Sequence, residues 1–255
     1  NNYNIKKVEG QNYLIDGTSF NANSLISNLL DADDKKENNL FENNISMDLD
    51  FDEVYFDKIH FVRDLNGNIK IINNKVEEAD ILAFFDNSQN IKLTIRKNEN
   101  GEKITTLFSS NAKPLVDRYK FIKGFEDGKD GYLDFYSSNK DGISISKLVI
   151  DNFKVKEIPA LAKLLALSSL QGIADLLTGE GLRFTDLEMD FTNENKVMRI
   201  QELYAIGPTI SVLLEGYIEK NKLISLRGTL VPATTINRSI ASIPLLGDLL
   251  IGKKV

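Results

Sequence analysis

The chain has no cysteine, one histidine and five prolines among 255 residues. Without cysteine there can be no disulfide and no thiolate metal site, and the chain suits a reducing cytosol or an oxidising periplasm equally well. The lone histidine, His60, sits in a strand-like run, Lys58–Val62, and reads as a satisfied or surface residue rather than a catalyst. No uninterrupted apolar run reaches the roughly 18–20 residues that a membrane-spanning helix needs. No signal peptide is visible either. The chain opens Asn1-Asn2-Tyr3 and ends Lys253-Lys254-Val255, which reads as a piece of a longer protein. An excess of positive charge is also missing. A net charge of −6 argues against nucleic acid, whose binding requires displaced counterions. It leaves membranes open, because apolar association needs no basic patch.

Catalytic signatures are equally scarce. There is no Gly-x-Ser-x-Gly elbow and no His-Glu-x-x-His pair, and Gly179-Glu180-Gly181 lacks the rest of a phosphate-binding loop. Asp48, Asp50, Asp52 and Glu53 invite a calcium reading, but strand alternation spreads them along a solvated face and the glycine turn of a calcium loop is absent. The sequence therefore assigns no catalytic residue, no metal ligand and no cofactor. Carboxylate pairs that hydrolyse glycosides meet only in the fold, so a carbohydrate-processing β-protein stays as a distant third reading.

What the chain does have is period-two alternation, and 42% hydrophobic residues with which to build a core. Ile45, Met47, Leu49 and Phe51 alternate with Ser46, Asp48, Asp50 and Asp52 over 45–56. Similar runs are Ile69–Ile72, Ile81–Phe85, Ile91–Ile95, Ile104–Phe108, Tyr132–Tyr136 and Ile143–Ile150. The Asn/Asp/Gly clusters at 66–68, 98–101 and 127–131 predict the turns between them. Helical patches are expected at Asn23–Leu30 and Pro114–Ile122, and a polar loop at Asp31–Asn44.

The second part is punctuated more clearly. Pro159 fits a first helical turn, and the helix it opens should stop at Thr178–Gly181. Four strand-like runs follow, Leu182–Phe191, Val197–Ile206, Thr209–Ile218 and Leu223–Val231, before a second aliphatic segment, Ile240–Ile251. Leu187, Met189 and Phe191 share a face, as do Ile210, Val212 and Leu214, with Ile224, Leu226 and Leu230 joining them. Glu188, Asp190, Ser211 and Glu215 stand opposite. One side of the sheet is oily and the other wet, as antiparallel sheets allow. Read from the pattern alone, the oily side suits a packed core better than an open groove.

From Phe153 onward the chain carries an ordered set of blocks: Ile158–Leu165, Ser168–Ile173, Leu177–Phe184, Ala205–Pro208, Glu215–Ile218, Leu226–Pro232, then Asn237 and Ile243–Leu250. In these blocks it resembles the AsmA-like family, the AsmA/TamB/YhdP group of Gram-negative envelope proteins. Residues 114–133 resemble it more loosely. The resemblance implies a periplasmic rod anchored to the inner membrane in the full-length protein, carrying phospholipid between inner and outer membranes in support of outer-membrane biogenesis. It also reverses the preference between core and groove.

The expected fold is mainly β with a few helices: an antiparallel meander curled into an apolar groove and capped by amphipathic helices. Residues 1–152 form a β-rich segment and 153–255 the AsmA-like region, with one continuous sheet preferred. The groove would be lined by Leu187, Met189, Phe191, Met198, Ile200, Ile210, Val212, Leu214, Ile224 and Leu226. Leu161, Leu164, Leu165, Leu245, Leu246, Leu249 and Leu250 would cap it or touch membrane. The alternative is a periplasmic scaffold that assembles outer-membrane proteins by presenting a sheet edge to a protein partner.

Overall fold

The computed structural model describes residues 2–24, 26, 44–86, 88–119, 122–156, 181–208, 210–219 and 223–232. Thirteen strands form one open sheet whose spatial order is the order of the chain. They are β1 (Asn2–Glu9), β2 (Asn12–Asn21), β3 (Ile45–Tyr55), β4 (Phe61–Ile72), β5 (Lys75–Phe84), β6 (Asn90–Lys97) and β7 (Lys103–Ser109), then β8 (Phe125–Lys140), β9 (Ile143–Val155), β10 (Leu182–Glu194), β11 (Val197–Ile206), β12 (Ile210–Glu219) and β13 (Leu223–Pro232). One short helix, α1 (Lys113–Tyr119), lies between β7 and β8. The protein is mainly β, as alternation predicts. The four runs of the second part become β10–β13 with boundaries within three residues of those expected.

The meander has one exception. β2 and β3 pair in parallel, because the long connection between Asn21 and Ile45 returns the chain to the end from which β2 started. β1 and β2 fall in a segment for which the alternation argument named no strand.

Two expected turns are not turns. Asn66-Gly67-Asn68 lies inside β4, with Gly67 paired to Leu49 on one side and Ile81 on the other. A Cβ at Gly67 would run into the Asp80 carbonyl, so glycine here permits close approach of strands, not reversal. The chain reverses instead at Asn73-Asn74, both at positive φ (50° and 58°), which a tight hairpin requires. Asp127–Gly131 lies inside β8 as a bulge, where the register with β9 shifts between Asp127 and Tyr132. Gly128 and Gly131 abut Asn152, whose side-chain amide donates to the Lys129 carbonyl and whose φ is 45°. The 98–101 turn does join β6 to β7.

The connections sort by rim. Tight turns at Asn73-Asn74, 98–102, Asp141-Gly142 and Asn195-Lys196 lie along one rim of the sheet. The longer connections, among them the one bearing α1 and the one spanning 156–181, leave from the other. Val116, fully buried on α1, joins Phe125, Leu133, Ile150, Phe153, Leu182, Phe184 and Leu187 in the larger core cluster at that rim. Phe153 stacks between Phe125 and Phe184 at ring-centroid distances of 5.3 and 5.2 Å. A smaller cluster gathers Phe51, Val54, Val62, Leu65 and Ala83. The segments Ile158–Leu177 and Ile240–Ile251, the loop 31–43 and most of Asn23–Leu30 lie outside the described residues.

Candidate functional site: an apolar row across the sheet

Side chains alternate between the two faces of a strand, so paired residues on neighbouring strands point the same way. Following the pairing from edge to edge gives one row: Ile5, Ile15, Leu49, Gly67, Ile81, Leu93, Leu107, Phe135, Leu148, Met189, Leu203, Leu214 and Gly228. Every strand contributes, and no charged or hydroxyl-bearing residue interrupts. With twelve spacings of about 4.8 Å, the row is roughly 58 Å long.

Parallel rows flank it. Towards the helix-bearing rim run Ala83, Ile91, Ser109, Leu133, Ile150, Leu187, Ala205, Val212 and Leu230. This flank is packed: Ala83, Ser109 and Ile150 are 0% exposed. Most of the continuous row is only half-buried, including Leu49, Ile81, Leu93, Leu107, Phe135, Met189, Leu203 and Leu214.

All ten residues assigned to the apolar lining fall on this face by register. Their environments differ. Leu187, Phe191, Ile200 and Ile210 are buried in the larger cluster, and Met189, Met198 and Val212 pack against it. Leu214 is half-buried, whereas Ile224 and Leu226 on the edge strand are 68% and 41% exposed. The cap residues Leu161, Leu164, Leu165, Leu245, Leu246, Leu249 and Leu250 lie outside the described residues. The first-half members of the row, from Ile5 to Leu148, were not assigned to the lining. Their alternation was visible, but only the register aligns them with Met189 and Leu214.

The reverse face carries a polar row, beside which Leu82, Phe108, Val149 and Leu213 stand among charged residues. Asp48, Asn68, Asp80, Thr94, Thr106, Tyr136, Lys147, Asp190 and Glu202 follow one another along the polar row, with Thr94 and Thr106 hydroxyls 2.6 Å apart. Burial pushes the Glu188 carboxyl up, but hydrogen bonds from the Lys147 ammonium and the Tyr204 hydroxyl outweigh it and hold the carboxyl below its usual range. Burial and then Glu188 raise Tyr204. Asp48, Asp50 and Asp52 are exposed on this face, and Glu53 accepts a 2.7 Å hydrogen bond from the Tyr55 hydroxyl.

His60 lies in the connection between β3 and β4, not in a strand. Its Nδ1 is 2.9 Å from the Asp57 carboxylate, which also accepts the Ile59 and His60 backbone N–H groups at 2.7 Å. Those bonds fix the loop and explain why the run at 58–62 does not extend. Among the described residues no group of three or more His, Cys, Asp or Glu converges as a metal site. Shallow, polar depressions lie at Gly142 with Asn193–Lys196 and at Asn68 with Arg96. No described helix is long and apolar enough to cross a membrane. Neither a family profile, nor a curated protein, nor a solved structure matches the chain.

Proposed function

We propose that the protein is a non-enzymatic carrier of phospholipid, holding acyl chains along the apolar face of its sheet. The unbroken row from Ile5 to Gly228 carries this reading. Exposing a methylene to water costs about 0.8 kcal/mol, so a carrier must replace water along the whole acyl chain. A bilayer core is about 30 Å thick, so one acyl chain is roughly 15 Å long. A row of roughly 58 Å is therefore several chains long, which suits passage along the sheet better than a single closed pocket. The AsmA-like blocks between Ile158 and Leu250 support the same reading. On it, the working protein stands in the Gram-negative periplasm, anchored to the inner membrane and delivering lipid towards the outer membrane.

Mass spectrometry of the purified chain tests the proposal. Phospholipid should copurify, and Met189→Asp or Leu214→Asp should reduce it while far-UV circular dichroism is unchanged. If native and delipidated samples prove identical, the carrier reading fails.

A second reading rests on the open edges. Among the described residues β1 and β13 each pair on one side only, and Ile5, Val8 and Leu223 are 59%, 63% and 49% exposed there. Such edges can recruit a strand from another chain, which is what a scaffold for outer-membrane proteins would need. Crosslinks from acyl-chain probes to Leu93 or Leu107 favour transport, and protein crosslinks confined to β1 or β13 favour the scaffold.

A further inference from the structure

The row on the hairpin side of the continuous one runs Tyr13, Met47, Ile69, Ala79, Ile95, Thr105, Ser137, Ser146, Phe191, Ile200, Gly216 and Leu226. It is apolar on both flanks and carries hydroxyls on three successive strands in its middle. Ser146 is only 4% exposed, and its hydroxyl donates to Ser137 at 2.8 Å. Alternation alone would place aliphatic residues at these three positions.

Directly beside them on the same face, two residues along each strand, stand Lys103 and Asn139. Lys97 pairs with Lys103 across β6 and β7, and its ammonium lies 2.8 Å from Glu77. The Lys103 ammonium donates to the Val76 carbonyl at 3.3 Å. Hydrogen bonding from Lys97, opposed by burial and reinforced by the nearby charges of Lys97, Lys103 and Lys75, holds the Glu77 carboxyl below its usual range. The Lys97 ammonium contacts this carboxylate, and the charges of Lys103 and Lys75 act on it from nearby. The excess is positive, in a chain whose net charge is −6.

We propose that Lys97, Lys103, Thr105, Ser137 and Ser146 form a station for the phosphate of an anionic phospholipid, whose acyl chains lie along the neighbouring apolar row. The inference rests on the carrier reading and adds to it a head-group preference. Ammonium and hydroxyl groups are the donors that phosphate oxygens accept from most strongly. Positions two residues apart on a strand are separated by about 6.6 Å, so one amphiphile can reach the station and the row together. Cross-strand hydroxyl pairs can also serve the sheet alone, but that role gives no reason for the adjoining positive charge.

The test incubates the intact chain with phosphatidylcholine vesicles containing either phosphatidylglycerol or a diacylglycerol of the same acyl chains, then quantifies retained lipid after gel filtration. Phosphatidylglycerol should be retained about tenfold better, the worth of one charge-assisted hydrogen bond. Lys103→Gln should abolish that preference without lowering diacylglycerol retention, and Thr105→Val should weaken it should the first variant fold poorly. Equal retention of both lipids, indifferent to Lys103→Gln, overturns the head-group station and leaves the carrier reading intact. Retention of none of the three lipids, phosphatidylcholine included, overturns both. Lys103-dependent binding of inorganic phosphate alone, seen by phosphorus NMR with no lipid retained, makes this a free-anion site and also overturns the proposal.

Discussion

Asp127, the ladder position of β8 just before its bulge, accepts the backbone N–H of Ala112 at 2.9 Å, where the chain enters α1. The same carboxylate accepts the Lys113 N–H at 3.1 Å. One side chain thus satisfies two of the donors that a helix start leaves open, and it ties α1 to the sheet. Asp127 itself stays in the ladder with β9, paired with Phe153, and the register shift begins immediately after it.

Asp127→Ala should therefore cost about 1 kcal/mol, the usual worth of such a cap, read as a lower urea midpoint. Its titration adds a pH signature. Burial raises the Asp127 carboxyl above its ordinary value of 3.8, against the opposing pull of the two backbone N–H bonds. A raised folded value means that the folded state holds the proton more tightly. Its contribution is complete below the unfolded value and is lost as pH rises through the folded one. Asp127→Asn, which keeps an acceptor but cannot ionise, should flatten the stability profile above pH 3.8 relative to the parent.

Asp57 shows the opposite sign. Burial alone would raise its carboxyl, but hydrogen bonds from the His60 ring and from the His60 and Ile59 backbone lower it to about 2 from 3.8. The stabilisation is present above the unfolded value and is lost as pH falls through the folded one. Denaturant midpoints measured between pH 4 and pH 2 should fall for the parent and fall less for Asp57→Asn. Equal slopes for the two would remove the His60 loop from the acid response.

Gly67 tests the reading of close strand approach. Gly67→Ala should destabilise the sheet by more than about 1 kcal/mol, since the added methyl meets the Asp80 backbone and not a flexible side chain. A residue that merely turned the chain at a positive φ would behave differently: Asn73→Gly, at φ 50°, should be tolerated.

These positions also mark what the sequence disclosed. β10 to β13 were legible because alternation of Leu187, Met189 and Phe191 with Glu188 and Asp190 is bounded by clear breaks. Asn66-Gly67-Asn68 and Asp127–Gly131 misled because asparagine, aspartate and glycine serve three structural ends: reversal, bulge and close approach. Composition does not separate these; the neighbouring strand does. The parallel pairing of β2 with β3 depends on the path of the residues between them, and local periodicity is silent on that. The edge-to-edge row was invisible for the same reason. Each strand displayed its own two faces, yet only the register states that Leu49, Leu107 and Leu214 lie on the same one.

Leu107 and Phe108 turn that register into a direct test of function. They are neighbours in β7, but Leu107 pairs with Leu93 and Phe135 in the apolar row while Phe108 points to the reverse face, 39% exposed and stacked 6.0 Å from Tyr132. Simple stickiness of exposed hydrophobic residues would make Phe108 the more important, being larger and more accessible. A lipid path along the row makes Leu107 the important one. A carboxylate left in contact with acyl chains costs several kcal/mol unless it takes up a proton. Leu107→Asp should thus lower retained phospholipid by about tenfold or more at neutral pH, and partly recover it at pH 4. Phe108→Asp should leave retention near the parent level at both pH values. The reverse ranking would assign any bound lipid to the charged face and remove the row from the account.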